Sequence, residues 1–422
     1  MVSQNVLNLV DTAMVGTLGD DALAAVGLAS MANFLALAFI QGLSVGVQAM
    51  AARRKGEGNT GEQAVPLNGG LVLAVALAIP ITVAVIFLAP VFFPALANHS
   101  DSVVEIGIPY LQIRFLAIAG VGCNFAFRGY WNGVSMSRMY MKTLVFMHVS
   151  NVVLNWVFIF GNLGAPELGA TGAGLASAIS VYLGTGYYFV LGLRHARGNG
   201  FLRGLPEGKT LRTMLRLALP SAVQQFMFAG SIVALFAIIA RVGTAETAAA
   251  NVLVNLMLVA ILPGIGLGIS SASLVGQALG RGDPADAARW GWDVVRVGAA
   301  TLAAIGLPMI LIPDLLLSVF IHTEATIDLA RPSLMVIGAS ICLDGVGLVL
   351  MQSLLGAGAA RTVMLTSVSL QWLVMLPATW YVGVHLGYGL LGIWVVQGAH
   401  RALQASIYSE LWRRGAWKTI EV

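Results

Sequence analysis

Residues 67–92 read LNGGLVLAVALAIPITVAVIFLAPVF, without one Asp, Glu, Lys or Arg. A helix of that length crosses about 30 Å of hydrocarbon, which takes roughly 20 residues. It has no polar face to offer water. Comparable apolar runs occupy 170–193, 290–313 and 362–384. Across all 422 residues, 58% are hydrophobic and only 10% are charged, and the mean hydropathy is +0.85. A soluble domain carries roughly 25% charged residues, so this chain lacks the charge to clothe a water-facing surface. Helices are the default spanning element because each satisfies its own backbone hydrogen bonds. The alternating ten-residue segments of a β-barrel are absent.

The sequence therefore predicts an all-α membrane protein of about 12 transmembrane helices. Spans are expected near 2–16, 22–51, 67–92, 103–130, 141–161, 170–193, 211–240, 246–278, 290–313, 325–355, 362–384 and 388–413. Pro80, Pro263 and Pro377 are expected bend points, which membrane helices tolerate. Asp20, Asp21 and Asp283 read as N-caps. The first span would reach only roughly 22 Å, short of the hydrocarbon thickness, so a truncated first helix is expected. The opening Met1-Val2-Ser3-Gln4 lacks the basic start of a cleavable signal.

Lys and Arg set the orientation. Alternate connections hold Arg53-Arg54-Lys55, Arg128, Arg138 and Lys142, then Arg194 to Arg216, then Arg281, Arg289 and Arg361, with Arg413, Arg414 and Lys418 in the tail. The opposite connections hold Asp20, Asp21, Asp101, Glu167, Glu246, Asp314 and Glu324. This bias places both termini in the cytoplasm, and a bacterial inner membrane is the expected location. The net charge of +4 is spread through short loops, which argues against a nucleic-acid partner. Cys123 and Cys342 lie apart in apolar runs and show no metal-ligand spacing.

An internal repeat organises the chain. Gly16-Thr17 recurs as Gly243-Thr244, and Gly42-Leu43 through Gly56-Glu57-Gly58-Asn59 recurs as Gly266-Leu267 through Gly280-Arg281-Gly282-Asp283. Gly133 and Arg138 match Gly356 and Arg361, and Leu163-Gly164 matches Leu386-Gly387. Six spans per copy is an even number, so both copies enter from the same side, which makes a parallel repeat. The expected division is a six-helix lobe over 1–193, a charged cytoplasmic linker over 194–210 and a second lobe over 211–422. Paired lobes suit an alternating-access carrier better than a channel or an enzyme. No His, acid or nucleophile cluster has catalytic or metal spacing, so no enzymatic activity is expected.

Several motifs now become recognisable. Leu9-Val10-Asp11-Thr12-Ala13-Met14-Val15-Gly16, followed by Leu23-Ala24-Ala25-Val26, resembles the first signature of the multidrug and toxic compound extrusion (MATE) family. Asn151-Val152-Val153-Leu154-Asn155-Trp156-Val157-Phe158-Ile159-Phe160-Gly161 is similar to its fifth-helix signature. Gly169-Ala170-Thr171-Gly172-Ala173-Gly174-Leu175-Ala176-Ser177 resembles the start of its sixth helix, and Leu274-Val275-Gly276-Gln277-Ala278-Leu279-Gly280-Arg281-Gly282-Asp283 the end of its eighth. The resemblance covers nearly the whole chain, in order, and touches the NorM-like and DinF-like branches. It implies cation-coupled export of drugs or toxic metabolites by a monomer, with no cofactor. The chain departs from the family in starting its first helix about a dozen residues late.

Asp11 leads the candidate site residues. A carboxylate at membrane depth costs several kcal/mol unless it is paired, solvated or protonated. The residues alone leave a structural carboxyl and a proton carrier equally open; the resemblance assigns coupling to this position. Asn8 lies one turn away, and Asn151 and Asn155 share one helical face with His148. In one branch of the family the position of Asn155 is an acid, so the amide here leaves Asp11 as the only acid of the cluster. Ser177 and Tyr110 fall where the resemblance places further polar groups. Asp344 lies near the position of an acid in the NorM-like branch, where a glutamate on the seventh helix helps bind sodium; by itself it reads equally as a structural helix partner or a coupling acid. Here that window reads Ser221-Ala222-Val223-Gln224-Gln225-Phe226-Met227-Phe228, without a glutamate. The incomplete sodium set favours the proton as coupling ion, with sodium as the alternative. Gln224 and Gln225 are candidate cavity residues, with one of the two expected to face a neighbouring helix. A lipid-linked precursor flippase of the same superfamily would need several cations in its cleft, whereas Arg114, Arg128, Arg241 and Arg331 fall near span ends.

Overall fold

The computed structural model describes residues 11–204, 206–321 and 323–422. Among these the protein is all helix, without a strand. The first described helix, α1, covers 11–16; the expected span over 2–16 lies mostly outside the described residues. Then follow α2 (Asp20–Gly56), α3 (Val65–Leu96), α4 (Asp101–Leu116), α5 (Ile118–Gly133), α6 (Ser137–Phe160) and α7 (Gly169–His195). After the connection come α8 (Gly208–Ile239), α9 (Thr244–Gly280), α10 (Pro284–Leu311), the short α11 (Pro313–Ser318) and α12 (Glu324–Gly356). The last elements are α13 (Ala360–Ser369), a π-helical turn over Leu370–Met375, α14 (Leu376–Trp380), a second π-helical turn over Tyr381–His385, and α15 (Gly389–Arg414).

Nine described helices are long and apolar enough to span a bilayer, and ten if the bent pair α4 and α5 counts as one span. The surface they present is apolar: Phe87, Val91 and Leu373 are each about three-quarters exposed. Such side chains belong against lipid. One pair of repeated segments corresponds in length and end point. Helices α2 and α9 are both 37 residues long, and each ends on a repeated glycine, Gly56 and Gly280.

Helix ends follow local chemistry. Asp283 caps α10 by accepting from Asp286 N at 2.8 Å, with Pro284 at the first helical position. Asp20 and Asp21 differ from expectation: they are the first two residues of α2 rather than its cap. There they still complement the helix dipole, as Arg53, Arg54 and Lys55 do in the last turn. The sharpest break also differs. Pro80 and Pro263 lie within continuous helices, and Pro377 sits between the two π-helical turns. The 43° bend falls between α4 and α5 at Ala117, with no proline in its turn. Its freed carbonyls are taken by neighbours: Thr82 Oγ1 donates to Phe115 O at 2.8 Å, and Tyr182 Oη to Leu116 O at 2.6 Å. Side chains from α3 and α7 thus hold the broken backbone satisfied.

The chain forms two compact units. The first comprises residues up to Lys55 and Asn59–Ala222; the second comprises Gly56–Gly58 and Val223–Val422. In the first, α6 packs on α7, α4 on α7, and α3 on both α4 and α5. In the second, α12 is central and packs on α9, α10 and α15. Small residues let α10 and α12 touch at their backbones. A Cβ on Gly306 would collide with the Gly338 carbonyl, and one on Gly338 would lie 2.7 Å from Gly306 O. The charged connection belongs to the first unit. Asn68, buried on α3, donates to Gly200 O at 3.0 Å and accepts from Leu202 N at 3.0 Å.

Candidate functional site: a carboxyl and amide chain in the first unit, an ion pair in the second

In the first unit, α6 carries Asn151 and Asn155 four residues apart, so both amides project from one face. Asn155 Nδ2 donates to Asp11 Oδ1 at 2.5 Å and to Asn151 Oδ1 at 3.3 Å. Asn151 Nδ2 then donates to Ser177 Oγ at 3.2 Å and Ser180 Oγ at 3.4 Å on α7, and Ser180 Oγ donates to Ser177 O at 2.9 Å. Both asparagines and both serines are buried, and Asp11 is partly buried. The result is a continuous line of polar groups running from one carboxyl into an apolar bundle. Asn155 Oδ1 has no hydrogen-bond partner among the described residues. One amide therefore offers a donor to a carboxylate and, after rotation, an acceptor to a carboxylic acid.

Arg114 of α4 acts electrostatically on Asp11. Tyr110 is buried with its ring over Gly174, where a Cβ would come within 3.1 Å of Tyr110 Cδ2. Its hydroxyl does not join the chain. Neither ring nitrogen of His148 has a hydrogen-bond partner among the described residues. Asn8 lies outside the described residues.

In the second unit, Asp344 of α12 pairs with Arg401 of α15, Oδ2 to Nη1 at 3.2 Å, with side chains 14% and 7% exposed. Arg401 Nη1 also donates to Ser340 Oγ at 3.2 Å, and Nη2 contacts Met257 Sδ of α9. Gln224 is buried and donates to Ser367 Oγ at 3.2 Å, which bonds Tyr408 Oη at 2.5 Å. Gln224 thus ties α8 to α13 and α15. Gln225, its neighbour, is partly exposed and lies outside this network. Of the residues gathered by sequence, Asp11, Asn151, Asn155 and Ser177 join one cluster in the first unit, Asp344 is paired in the second, and Tyr110, Gln224 and Gln225 belong to neither group.

Sequence reasoning missed Ser180, Arg114 and Arg401. Ser180 stands three residues after Ser177, on the same helical face. Arg401 stands near the middle of the span over 388–413. An ionisable residue at that depth calls for a partner, and that rule would have paired it with Asp344.

This bundle of lipid-facing spans, with one partly buried acid on an amide chain and another on an internal arginine, has the fold of a multi-pass membrane transporter. The MatE family model matches residues 1–157 and 220–381, and the chain belongs to the MatE family. "Probable multidrug resistance protein NorM" of Synechococcus is 27% identical, over 96% of this chain and 89% of that protein. "Multidrug resistance protein NorM" of Burkholderia vietnamiensis is also 27% identical, over 93% of this chain and 86% of that protein. The same fold is seen in the outward-facing structure of a MATE transporter of the MOP superfamily, at a TM-score of 0.89, 21% identity, and coverage of 100% and 94% of the two chains.

Proposed function

We propose that this protein is a secondary active exporter of amphipathic, mostly cationic organic compounds, driven by proton entry through alternating access. The reading is supported by membership of the MatE family and by relatives whose names denote multidrug resistance. One observation carries the choice of ion: Asp11 is bonded to Asn155, an amide that serves either protonation state of the carboxyl. A proton carrier must be stable in both states, and coupling requires that proton and drug differ in affinity for the two conformations. In the second unit, Asp344 already has an internal cation in Arg401, so a sodium ion would have to displace a guanidinium. The expected setting is a bacterial cytoplasmic membrane with both termini inside. Reconstitution into proteoliposomes tests the reading. An imposed proton gradient without sodium should drive drug accumulation, and transport that runs only on a sodium gradient at symmetric pH would overturn proton coupling.

A further inference from the structure

The eleventh span is irregular where it meets the end of α8. Two π-helical turns, Leu370–Met375 and Tyr381–His385, flank the five-residue α14 with Pro377 inside it. π-helical turns in a long helix recur at functional positions. Here they accompany a groove of about 350 Å³, lined by Ala237, Ile238 and Arg241 at the end of α8 and by Trp372, Leu376, Pro377 and Trp380.

Trp372 is fixed as one wall. Its Nε1 donates to Met227 O at 3.1 Å, and its ring lies over Gly230, where a Cβ would come within 3.3 Å of Cζ2. The lining is apolar apart from the indole N–H groups and Arg241. Arg241 is exposed, and its guanidinium has no hydrogen bond or ion pair among the described residues. Beside the groove is an aromatic girdle. Trp380, Tyr381 and Tyr388 are 41%, 50% and 68% exposed, and Trp380 and Tyr381 both stack on His385, at 6.0 and 5.2 Å. Exposed Trp and Tyr at a helix end mark the headgroup level of a bilayer. Arg241 stands at this level too: Val242 beside it is 3.8 Å from where a Cβ on Gly389 would lie.

An unpaired cation at headgroup depth, above an apolar groove that opens to lipid, matches one ligand chemistry. We propose that this groove is a binding site for an anionic phospholipid, its phosphate on Arg241 and an acyl chain along Ala237, Ile238, Leu376 and Pro377. A cationic drug would meet like charge there, which separates the groove from the exporter's substrate site. The assignment does not depend on the transport reading.

Native mass spectrometry of the purified full chain tests it, counting phosphatidylglycerol and phosphatidylcholine molecules retained from defined mixed micelles. Wild type should retain phosphatidylglycerol in preference. Arg241→Gln should lower its retention about fivefold, as expected for one arginine near an anionic headgroup. Arg331→Gln, which removes a cation already paired with Asp314 and Asp328, should leave retention unchanged. Ala237→Trp fills the groove with Arg241 intact and should also lower retention, which keeps the test sound if Arg241→Gln fails to fold. Equal retention of both lipids by wild type, or wild-type phosphatidylglycerol retention in Arg241→Gln or Ala237→Trp, overturns the site.

Discussion

Arg401 and Asp344 form a buried ion pair within one bundle, a cation from α15 held 3.2 Å from an acid on α12. Removing one partner of such a pair strands the other charge, at a cost on the order of 3–5 kcal/mol. Arg401→Met should therefore lower stability strongly, and Asp344→Asn should do so too. The double variant should recover much of the loss, because no lone charge remains. Unfolding in mixed micelles closes the cycle. Strictly additive losses would show that the two side chains do not act as a pair.

Asp11→Asn preserves size and polarity beside Asn155 but removes the ionisable group. Membrane abundance and thermal stability should stay near wild type, while active export should fall to background in drug-susceptibility and pH-jump release assays. Export at the wild-type level would overturn the proposal that Asp11 carries the proton. Complete loss in Asp344→Asn as well, at undiminished abundance, would point to a coupling acid in each unit.

The break at Ala117 and the Arg401 pair show where a linear reading stops. The spans were legible because lipid demands long uncharged runs, as in 67–92. The single acid in α1 was legible because lipid makes any charge conspicuous. The bend was not, since its determinants, Thr82 and Tyr182, belong to other helices. Asp11 and Asn155 are 144 residues apart, so only family resemblance, not spacing, could place them together. Gln224 and Gln225 read as a pair of which one lines a cavity and the other faces a neighbouring helix, and sequence does not say which. Gln224 is the one bonded to Ser367 of a neighbouring helix, the interhelical role that polar side chains take inside a bundle.

Helices α10 and α12 meet at Gly306 and Gly338. Gly306→Val should push the helices apart, with an overpacking cost of about 1–3 kcal/mol or more, because backbone cannot yield as side chains do. Gly266→Ala, with nothing within 4 Å of its Cβ, serves as control. Equal melting temperatures for the two variants would mean that the close approach carries no stability.

Asn68 fastens the loop over 200–204 through both ends of its amide. Asn68→Ala leaves buried backbone groups without partners, worth about 1–3 kcal/mol. Trypsin should then cut after Arg203, which is exposed, several-fold faster than in wild type. An unchanged cleavage rate would place the restraint elsewhere.

The most charged stretch of the chain is not where its packing divides. Compact packing changes hands between Ala222 and Val223, inside the uninterrupted α8. A gene cut within the linker would thus give two polypeptides of which the second begins with residues 208–222, a foreign arm belonging to the fold of the first. Such fragments would be complementary rather than independent. Coexpression would succeed where separate expression and mixing did not.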